Sequence, residues 1–439
     1  MSAIELSGLI FLLMLVMMAI RIPIAACMFF AGAFGYVTQA GPIAFLNYLK
    51  GAAFARFSVY DLSVIPLFLL MGQFASQGGL SRSLFQFARV MLGGFRGGMA
   101  MAAVWACAAF GAVCGSSIAT AATIGTVALP EMRRNGYSGR LATATLAASG
   151  TLGIMIPPSV PLVIYAILTE QNIAKLFAAA FIPGLIAAVG YTIAIAVYVR
   201  VVPGHAPDVE TVAKEPFLDR LAQVAPILII FLIVFGGIYA GLFTPTEAAA
   251  IGVAATFLAA TAKKELTLEK IKSALLATGE TCAFIFLIIL GADVLNSALA
   301  LTNTPQELAK LIGGMSLSPY MIIVVILGFH IILGSVMDEL AMIMLTIPIF
   351  FPIVMGLDLG MATEDKAIWF GILMLMVVEI GLVHPPLGLN VYVVNSMARD
   401  VPISESFLGT IPFLITDFLR TALIFFFPAI SLALLKWLY

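Results

Sequence analysis

One apolar stretch, SGTLGIMIPPSVPLVIYA at residues 149–166, contains two adjacent prolines, Pro157 and Pro158. A proline inside a helix removes a backbone donor and clashes with the preceding turn, which costs about 3 kcal/mol. Two glycines just upstream, Gly150 and Gly153, weaken the helix further. The sequence therefore predicts a helix that ends before the proline pair and a second helix that begins after it.

The composition indicates which environment surrounds this break. Hydrophobic residues make up 62% of the 439 residues, charged residues make up 10%, and the mean hydropathy is +1.11. Soluble domains carry about 25% charged residues, so the sequence predicts an all-α polytopic membrane protein. The formal net charge of −1 does not indicate nucleic-acid binding. The four cysteines show no CxxC or metal-ligand spacing, which favours small core residues: Cys27, Cys107, Cys114 and Cys282.

Charged and turn residues divide most of the chain into predicted spans. The spans are 4–20, 22–38, 59–77, 141–170, 176–200, 221–241, 247–263, 273–300, 367–397 and 407–437. Regions 97–130 and 313–356 are too long for one crossing and tight for two, so each is predicted to be a re-entrant helical hairpin. Segment 40–58 is predicted to be a helix on the membrane surface, and segment 201–220 connects the two halves.

The charges that flank the first hairpin differ from those that flank the second. Arginines stand on both sides of 97–130, at positions 82, 89, 96, 133, 134 and 140. Short cytoplasmic loops carry an excess of Lys and Arg, so both ends of this hairpin are predicted to be cytoplasmic. The flanks of 313–356 show no basic excess and are predicted to be extracytoplasmic. Counting the spans then predicts that both termini are extracytoplasmic.

The second half of the chain repeats landmarks of the first half in the same order. The motif GIMIPPS at Gly153 matches GLVHPPL at Gly381 in its glycine, three intervening residues and proline pair. Gly115 in the first hairpin likewise pairs with Gly334 in the second. Because the flanks have opposite polarity, the repeat is predicted to be inverted. Inverted repeats with interrupted helices are typical of secondary transporters, whose sites lie at the repeat interface.

The two helix breaks predict a cation site in each half. Unwound chain in a membrane is tolerated where protein or a polar cavity surrounds it, and its free carbonyl oxygens suit a hard cation such as Na+. The predicted Na+ ligands are Ser116, Ser117, Gly150, Gly153, Ile156 and Pro157, and in the second half Gly334, Met337, Asp338, Gly381 and His384. Half-helix N-termini favour anions, which predicts substrate beside Ser117, Thr120, Pro158, Ser159, Pro386 and Asn390. The alternative, that these motifs only kink and cap helices, remains open.

Several ionisable side chains within membrane segments have more than one interpretation. Asp338 either joins a cation site or caps the second hairpin, and the sequence favours neither. Glu379 is expected to hold its broken helix by bonding backbone donors. His330 and His384 are expected to be satisfied interior residues rather than proton relays. Because the motifs contain no Lys or Arg, the charge of an anionic substrate is expected to be met by helix termini and bound cations.

The sequence resembles a known transporter family in the two proline motifs and their hairpins. The segments CGSSIATAATIGTVALPEMRRNGYSGRLATATLAASGTLGIMIPPSVPLVIYA and MDELAMIMLTIPIFFPI…EIGLVHPPLGLNVYVVN are similar to the large membrane subunit of tripartite ATP-independent periplasmic (TRAP) transporters. The resemblance implies an elevator mechanism in the bacterial inner membrane, Na+ coupling, and organic-acid substrates such as C4-dicarboxylates or sialic acid. It also implies a periplasmic substrate-binding protein and a small four-helix membrane subunit, expected here as a separate polypeptide.

This resemblance leads to a predicted division of labour along the chain. Residues 1–58 and 176–263 are predicted to form a scaffold, and residues 407–439 a C-terminal span. Residues 59–170 and 273–400 are predicted to form a transport domain that carries both hairpins and both breaks across the bilayer. A stand-alone Na+/carboxylate symporter and an ion channel remain alternatives. An intramembrane enzyme is disfavoured because no HExxH or GxSxG motif is present, and no Walker motif indicates ATP use.

Overall fold

Helices form every regular element in the part of the chain that the computed structural model describes, which comprises residues 3–207, 217–303, 307 and 317–439. They are α1 (Ala3–Ala19), α2 (Ile24–Ala40), α3 (Pro42–Phe57), α4 (Val64–Gln77), α5 (Leu80–Leu92), α6 (Gly98–Cys114), α7 (Ser117–Arg134), α8 (Gly139–Gly150), α9 (Leu152–Met155), α10 (Val160–Thr169), α11 (Ile173–Val201), α12 (Phe217–Tyr239), α13 (Pro245–Ala262), α14 (Leu268–Leu301), α15 (Pro319–Gly334), α16 (Glu339–Gly356), α17 (Thr363–Val383), α18 (Leu389–Met397), α19 (Ile403–Phe426) and α20 (Ala429–Leu438). A short 3-10 helix, Tyr60–Ser63, precedes α4. The predicted all-α class is confirmed.

Many of these helices are long and apolar enough to cross a membrane. Within the described residues, seven meet that criterion by length and composition, and nine do if each of two bent pairs counts as one span. One pair, Pro42–Phe57 with Tyr60–Gln77, bends by 59°, and the other, Gly139–Met155 with Val160–Thr169, bends by 40°. The chain is therefore a multi-pass membrane protein. The position of α3 on the membrane surface stays a prediction.

Each half contains a helical hairpin followed by a broken helix, as the repeat predicts. The first hairpin is α6 and α7, joined at Gly115, whose φ of +68° favours glycine. The second hairpin is α15 and α16, joined by residues 335–338. The predicted start of the second hairpin at 313 and part of the connector 201–220 lie outside the described residues.

The helix before each break lies against the hairpin of its own half, and the helix after each break lies against the hairpin of the other half. The first consists of α8, α9 and α10, and the second of α17 and α18; in each, the peptide bond within the proline pair is cis. A Cβ built on Gly111 of α6 would lie 2.5 Å from the Gly153 Cα atom. A Cβ built on Gly381 would lie 2.6 Å from the carbonyl carbon of Gly334. Glycine at both contacts lets hairpin and broken-helix backbones touch, which positions each hairpin turn beside its break.

Two features of the fold were not predicted. The C-terminal span 407–437 contains a break, because α19 ends at Phe426 and Pro428 cannot continue a helix.

Helix α5 lies between the predicted span 59–77 and the predicted hairpin 97–130, where only flanking charges were expected. It buries Leu84, Phe85 and Ala88 while Arg82 is exposed. The three-to-four-residue spacing of its apolar side chains was the signal for this amphipathic helix.

Candidate functional site

The first break is enclosed by protein on all sides. Residues 151–160 are all buried, and the chain leaves α9 in an extended conformation at Ile156. At the start of α10, the Ser159 hydroxyl accepts a hydrogen bond from the backbone N–H of Leu162 at 3.3 Å. The backbone N–H of Val160 also donates to the carbonyl oxygen of Gly115 at 3.3 Å. The new helix is therefore tied directly to the turn of the first hairpin.

The first hairpin brings one unpaired hydroxyl and several backbone oxygen atoms to this break. A Cβ built on Gly153 would lie 2.5 Å from Thr120 Oγ1 and 2.7 Å from the carbonyl oxygen of Ser116, and a Cβ built on Gly115 would lie 2.7 Å from that of Pro158. Thr120 is fully buried, and its hydroxyl has no hydrogen-bond partner among the described residues. A buried hydroxyl without a partner is costly unless a ligand satisfies it. Its position beside backbone oxygens fits a small hard cation.

The Na+ ligands predicted for the first half are not all equally close to the Thr120 hydroxyl. Ser116 caps α7, accepting from the Ala119 N–H at 3.5 Å. Gly150 packs instead on the backbone of Ala121. A Cβ built on Gly150 would lie 3.2 Å from the backbone N atom of Ala121. The structure thus brings the predicted Na+ ligands Ser116 and Gly153 together with Thr120, which was predicted to lie beside the substrate, while Gly150 serves helix packing. Their role as ligands stays a prediction.

The second break is more open than the first. Residues 385–387 are exposed and His384 is half-buried. Gly388 stands at the start of α18 with φ of +52° and offers no side-chain cap. The His384 ring hydrogen-bonds the adjacent carbonyl oxygen of Pro385, and the His384 N–H donates to the carbonyl oxygen of Gly381 at 3.3 Å. His384 is therefore at the edge of the break rather than in the interior, where it was expected.

Asp338 is the cap of the second hairpin helix. Its Oδ1 atom accepts hydrogen bonds from the N–H groups of Leu340 at 3.1 Å and Ala341 at 3.0 Å. These two bonds hold the Asp338 carboxylate at the start of α16. Met337 is buried beside it. The geometry therefore establishes the capping role and leaves the role in a cation site as a prediction.

The two hairpins touch at their turns through a pair that the sequence analysis missed. The Ser117 hydroxyl donates to Glu339 Oε2 at 3.0 Å, and both side chains are buried. Glu339 follows Asp338 directly in the MDEL motif, and the second carboxylate at the start of α16 was the available signal. This contact joins the first residues of α7 and α16, so the hairpin turns of the two halves meet at one place.

The predicted substrate residues do not form one shared set of contacts. The Asn390 amide donates to the carbonyl oxygen of Ala147 in α8 at 3.2 Å, while its Oδ1 atom has no partner among the described residues. Ser159 caps its helix, Ser117 bonds Glu339, and Pro386 is exposed. Asn390 is the residue of this group that links the second broken helix to the first.

The expectation for Glu379 is wrong. Its carboxylate accepts a hydrogen bond from the Arg420 guanidinium at 2.6 Å instead of capping backbone donors, and both side chains are buried. Sequence spacing did not reveal this pair because Arg420 lies in α19, outside all four motifs. Asp293 likewise pairs with Arg56 of α3. His330 lies in the interior as expected, with Nδ1 2.6 Å from the carbonyl oxygen of Ile326.

One face of α7 is accessible along its length. Ser116, Ala119 and Thr123 are half-buried, and Thr126 and Pro130 are exposed. Two cavities of about 340 and 410 Å3 lie between this face and α5, and both are lined by Arg82, Thr126 and Val127. In contrast, residues 341–347 of α16 are all buried. A polar path therefore runs along the first hairpin from its basic end towards its turn.

Comparisons with known proteins agree with this arrangement. A family profile described as "Tripartite ATP-independent periplasmic transporter, DctM component" matches residues 11–430. The C4-dicarboxylate TRAP transporter large permease protein DctM of Pseudomonas aeruginosa is 36% identical over 380 residues, which cover 86% of this chain and 87% of that protein. The sialic acid TRAP transporter large permease protein SiaM of Vibrio cholerae is 30% identical over 376 residues, covering 85% and 86%.

A solved structure shares the fold. The YdaH transporter of Alcanivorax borkumensis, whose crystal structure shows an unusual topology, matches with a TM-score of 0.66 over 88% of each chain at 14% sequence identity. This similarity concerns the fold alone, whereas the family profile and the relatives identify transporter permeases rather than enzymes. The chain therefore belongs to the DctM family of large membrane permease subunits of TRAP transporters.

Proposed function

We propose that this chain carries out Na+-coupled, binding-protein-dependent uptake of an organic acid across the bacterial inner membrane. The observation that carries the proposal is the buried Thr120 hydroxyl, unpaired among the described residues, which lies beside the Ser116 carbonyl oxygen at Gly153. Hydroxyl and carbonyl oxygens are ligands that Na+ accepts. The equivalent place in the second half contains Asp338, whose carboxylate caps α16 at the hairpin turn.

The substrate is proposed to be a carboxylate that binds at the second break, beside the start of α18. The N–H groups at the start of α18 lack a side-chain cap at Gly388, and free N–H groups at a helix start favour an anion. The relatives are named for C4-dicarboxylate and sialic acid, both of which carry carboxylates. Because the motifs contain no Lys or Arg, bound Na+ supplies the remaining positive charge.

Movement is proposed to follow an elevator mechanism. The transport domain, 59–170 with 273–400, moves as a rigid body against the scaffold, 1–58 with 176–263. The accessible face of α7 ends at the hairpin flank that positive charge predicts to be cytoplasmic. Residues 341–347 of α16 are buried, and the flanks of this second hairpin are predicted to be extracytoplasmic. This asymmetry supports an inward-facing arrangement, in which the first hairpin lines the path to the cytoplasm.

Two partners complete the proposed transporter. A periplasmic binding protein delivers the substrate to the extracytoplasmic face, which offsets the absence of a cationic side chain that would capture a dilute anion. A small four-helix membrane subunit, made as a separate polypeptide, packs along the scaffold near α3 and the first two helices. Exposed apolar side chains on these helices support such packing, among them Leu12, Phe30, Ile43 and Phe54.

Reconstitution in proteoliposomes with each component omitted in turn tests this function. We expect uptake of micromolar substrate to require the binding protein, the small subunit and an inward Na+ gradient. Uptake at full rate in Na+-free choline buffer would contradict the coupling. Uptake by this chain alone, as fast as that of the complete set, would contradict the tripartite proposal and favour the stand-alone Na+/carboxylate symporter.

A further inference from the structure

A charged cluster is buried behind the second break. Arg420 of α19 donates from Nη2 to Glu379 Oε2 at 2.6 Å, and the same nitrogen lies 3.1 Å from Asp417 Oδ1. The side chains of all three residues are at most 2% exposed. Glu379 lies two residues before Gly381, where α17 contacts the second hairpin. The guanidinium therefore anchors the last turn of α17 directly before the helix unwinds.

The same cluster extends to the first break. The Tyr191 hydroxyl of α11 donates to Asp417 Oδ2 at 2.7 Å. Its oxygen lies 3.5 Å from the Thr151 hydroxyl oxygen, and Thr151 is the residue between α8 and α9. A chain of polar contacts thus runs from Glu379, through Arg420, Asp417 and Tyr191, to the first broken helix.

The charges in this cluster depend on one another. Two carboxylates share a single guanidinium, and no other Lys or Arg contacts them among the described residues. Removing one member of a buried ion pair leaves an uncompensated charge, which is far more costly than losing an exposed pair. If the cluster opened in every transport cycle, each opening would separate buried ion pairs and require that free energy. Its geometry fits a unit that stays closed while the transporter moves.

We propose that Arg420 is a positioning residue for both helix breaks, and that the cluster is carried intact through the transport cycle. The inference rests on the proposed Na+ coupling and adds to it a residue that contacts neither proposed Na+ site. It also changes the proposed elevator division, because it moves α11 out of the scaffold and adds α11 and α19 to the moving body. Direct packing agrees with this assignment, because a Cβ built on Gly184 of α11 would lie 2.8 Å from the Ile156 side chain at the first break.

The first test measures the Na+ concentration that gives half-maximal uptake in the complete proteoliposome system. Arg420→Met should raise this concentration about tenfold, which is the scale of one lost charged hydrogen bond, and Arg420→Lys should raise it less. Glu379→Gln combined with Arg420→Met should recover part of the loss, because the unpaired carboxylate is removed. The matched control is Arg133→Met, which removes an exposed pair with Asp400 at 2.5 Å and should leave the Na+ curve unchanged.

The half-maximal Na+ concentration distinguishes a positioning role of Arg420 from a role in folding alone. A structural role alone lowers the amount of folded protein or the maximal rate at an unchanged half-maximal Na+ concentration, and that result would overturn the proposal. If Arg420→Met does not fold, Tyr191→Phe removes one hydroxyl only and should shift the curve about threefold. An unchanged Na+ curve for Tyr191→Phe would then overturn it.

The second test locks α11 to α19. A Cβ built on Gly190 would lie 3.7 Å from the Thr416 Cβ atom, a separation suited to a disulfide, and the four native cysteines are buried. Oxidised Gly190→Cys/Thr416→Cys protein should keep its uptake rate if the cluster moves as one unit. Loss of uptake on oxidation, restored by reductant, would contradict this. Wild-type uptake that does not depend on Na+ would contradict the proposed coupling instead. The disulfide result would then be the test of whether the cluster moves as one unit.

Discussion

The two helix breaks differ in how the protein encloses them. At the first, residues 151–160 are buried, Ser159 caps the helix after the break, Ser116 caps the hairpin helix beside it, and an unpaired hydroxyl lies inside. At the second, residues 385–387 are exposed, and α18 starts at Gly388 without a side-chain cap. The second half is held mainly by the Asp338 cap, the Gly334–Gly381 contact and the Arg420 pair.

This difference shows that a repeated motif does not give a repeated environment. The proline pair and the glycine before it set the position of each break, but neighbouring helices decide its enclosure. The first break is closed around an unpaired hydroxyl, whereas the second is exposed and starts its helix without a side-chain cap. On the proposed function, we expect the enclosed first break to bind its ion more tightly than the exposed second break.

The largest effects are expected from adding a methyl group where hairpin and break touch. Gly381→Ala would bring a Cβ within 3.0 Å of three backbone atoms of Gly334, and Gly153→Ala would push on Thr120 Oγ1 and the Ser116 carbonyl oxygen. Backbone cannot yield as a side chain can, so we expect no measurable uptake from Gly381→Ala and a severe loss from Gly153→Ala.

The controls for these substitutions are Gly279→Ala and Gly328→Ala. Both positions are helical and have nothing within 4 Å of a built Cβ. They should transport like the wild type in the same proteoliposome assay. Normal uptake by both Gly381→Ala and Gly153→Ala would show that the close contacts do not shape the sites.

A smaller effect is expected from removing the unpaired hydroxyl. Thr120→Val keeps the shape of the side chain, and we expect the half-maximal Na+ concentration for uptake to rise about tenfold. Because that hydroxyl has no partner among the described residues, the melting temperature should not fall. Thr278→Val, whose hydroxyl bonds the Ala274 carbonyl oxygen within α14 at 2.8 Å, is the control. A lower melting temperature with an unchanged Na+ curve would indicate a structural role for Thr120.

Cysteine labelling sharpens the contrast between the two hairpins. Thr126 of α7 is exposed in the polar path, while Thr346 of α16 is 1% exposed. A membrane-impermeant thiol reagent should modify Thr126→Cys from the cytoplasmic side and leave Thr346→Cys unmodified from either side. The unsubstituted chain, with its four buried cysteines, gives the background. Equal labelling of both variants, or labelling of Thr126→Cys only from outside, would contradict the inward-facing proposal.

The smallest effect concerns the serine cap that the second break lacks. Ser159→Ala removes the acceptor for the Leu162 N–H, and a lost N-cap costs about 1 kcal/mol of stability. Ser396→Ala removes an exposed hydroxyl on α18 that bonds the Val393 carbonyl oxygen, and it should change stability by less than about 0.5 kcal/mol. Thermal unfolding in detergent compares the two. Equal melting temperatures would show that the cap does not stabilise the first break.

The sequence predicts those parts of the fold that local chemistry dictates. Proline pairs and glycines in apolar runs indicate the breaks, and the long regions with internal Gly/Ser/Asp clusters indicate the hairpins. The family profile and the relatives confirm the predicted TRAP resemblance. Ser116, Thr120 and Gly153 also come together, because the turn at Gly115 and the break at Pro157 follow from their own residues.

The sequence pattern does not predict contacts between helices that are far apart in the chain. Glu379 and Arg420 are 41 residues apart, and no periodicity relates them. The pairing of Ser117 with Glu339 depends on how the two halves meet, 222 residues apart. The exposure of the second break depends on neighbouring helices, although its motif matches the first. Helix α5 was not predicted for a different reason. Its arginines interrupt the apolar run, although its apolar residues recur every three to four positions.

Equilibrium binding of radioactive Na+ to the purified chain tests the central claim, that each break holds its own ion. We expect about two Na+ equivalents per wild-type chain, because each break offers its own set of oxygen ligands. At the Na+ concentration that half-saturates the wild type, Thr120→Val should lose most of the ion at the first break, Asp338→Asn should lose most of the ion at the second, and the double variant should bind little Na+. Wild-type binding by the double variant would contradict the assignment of Na+ to these two breaks.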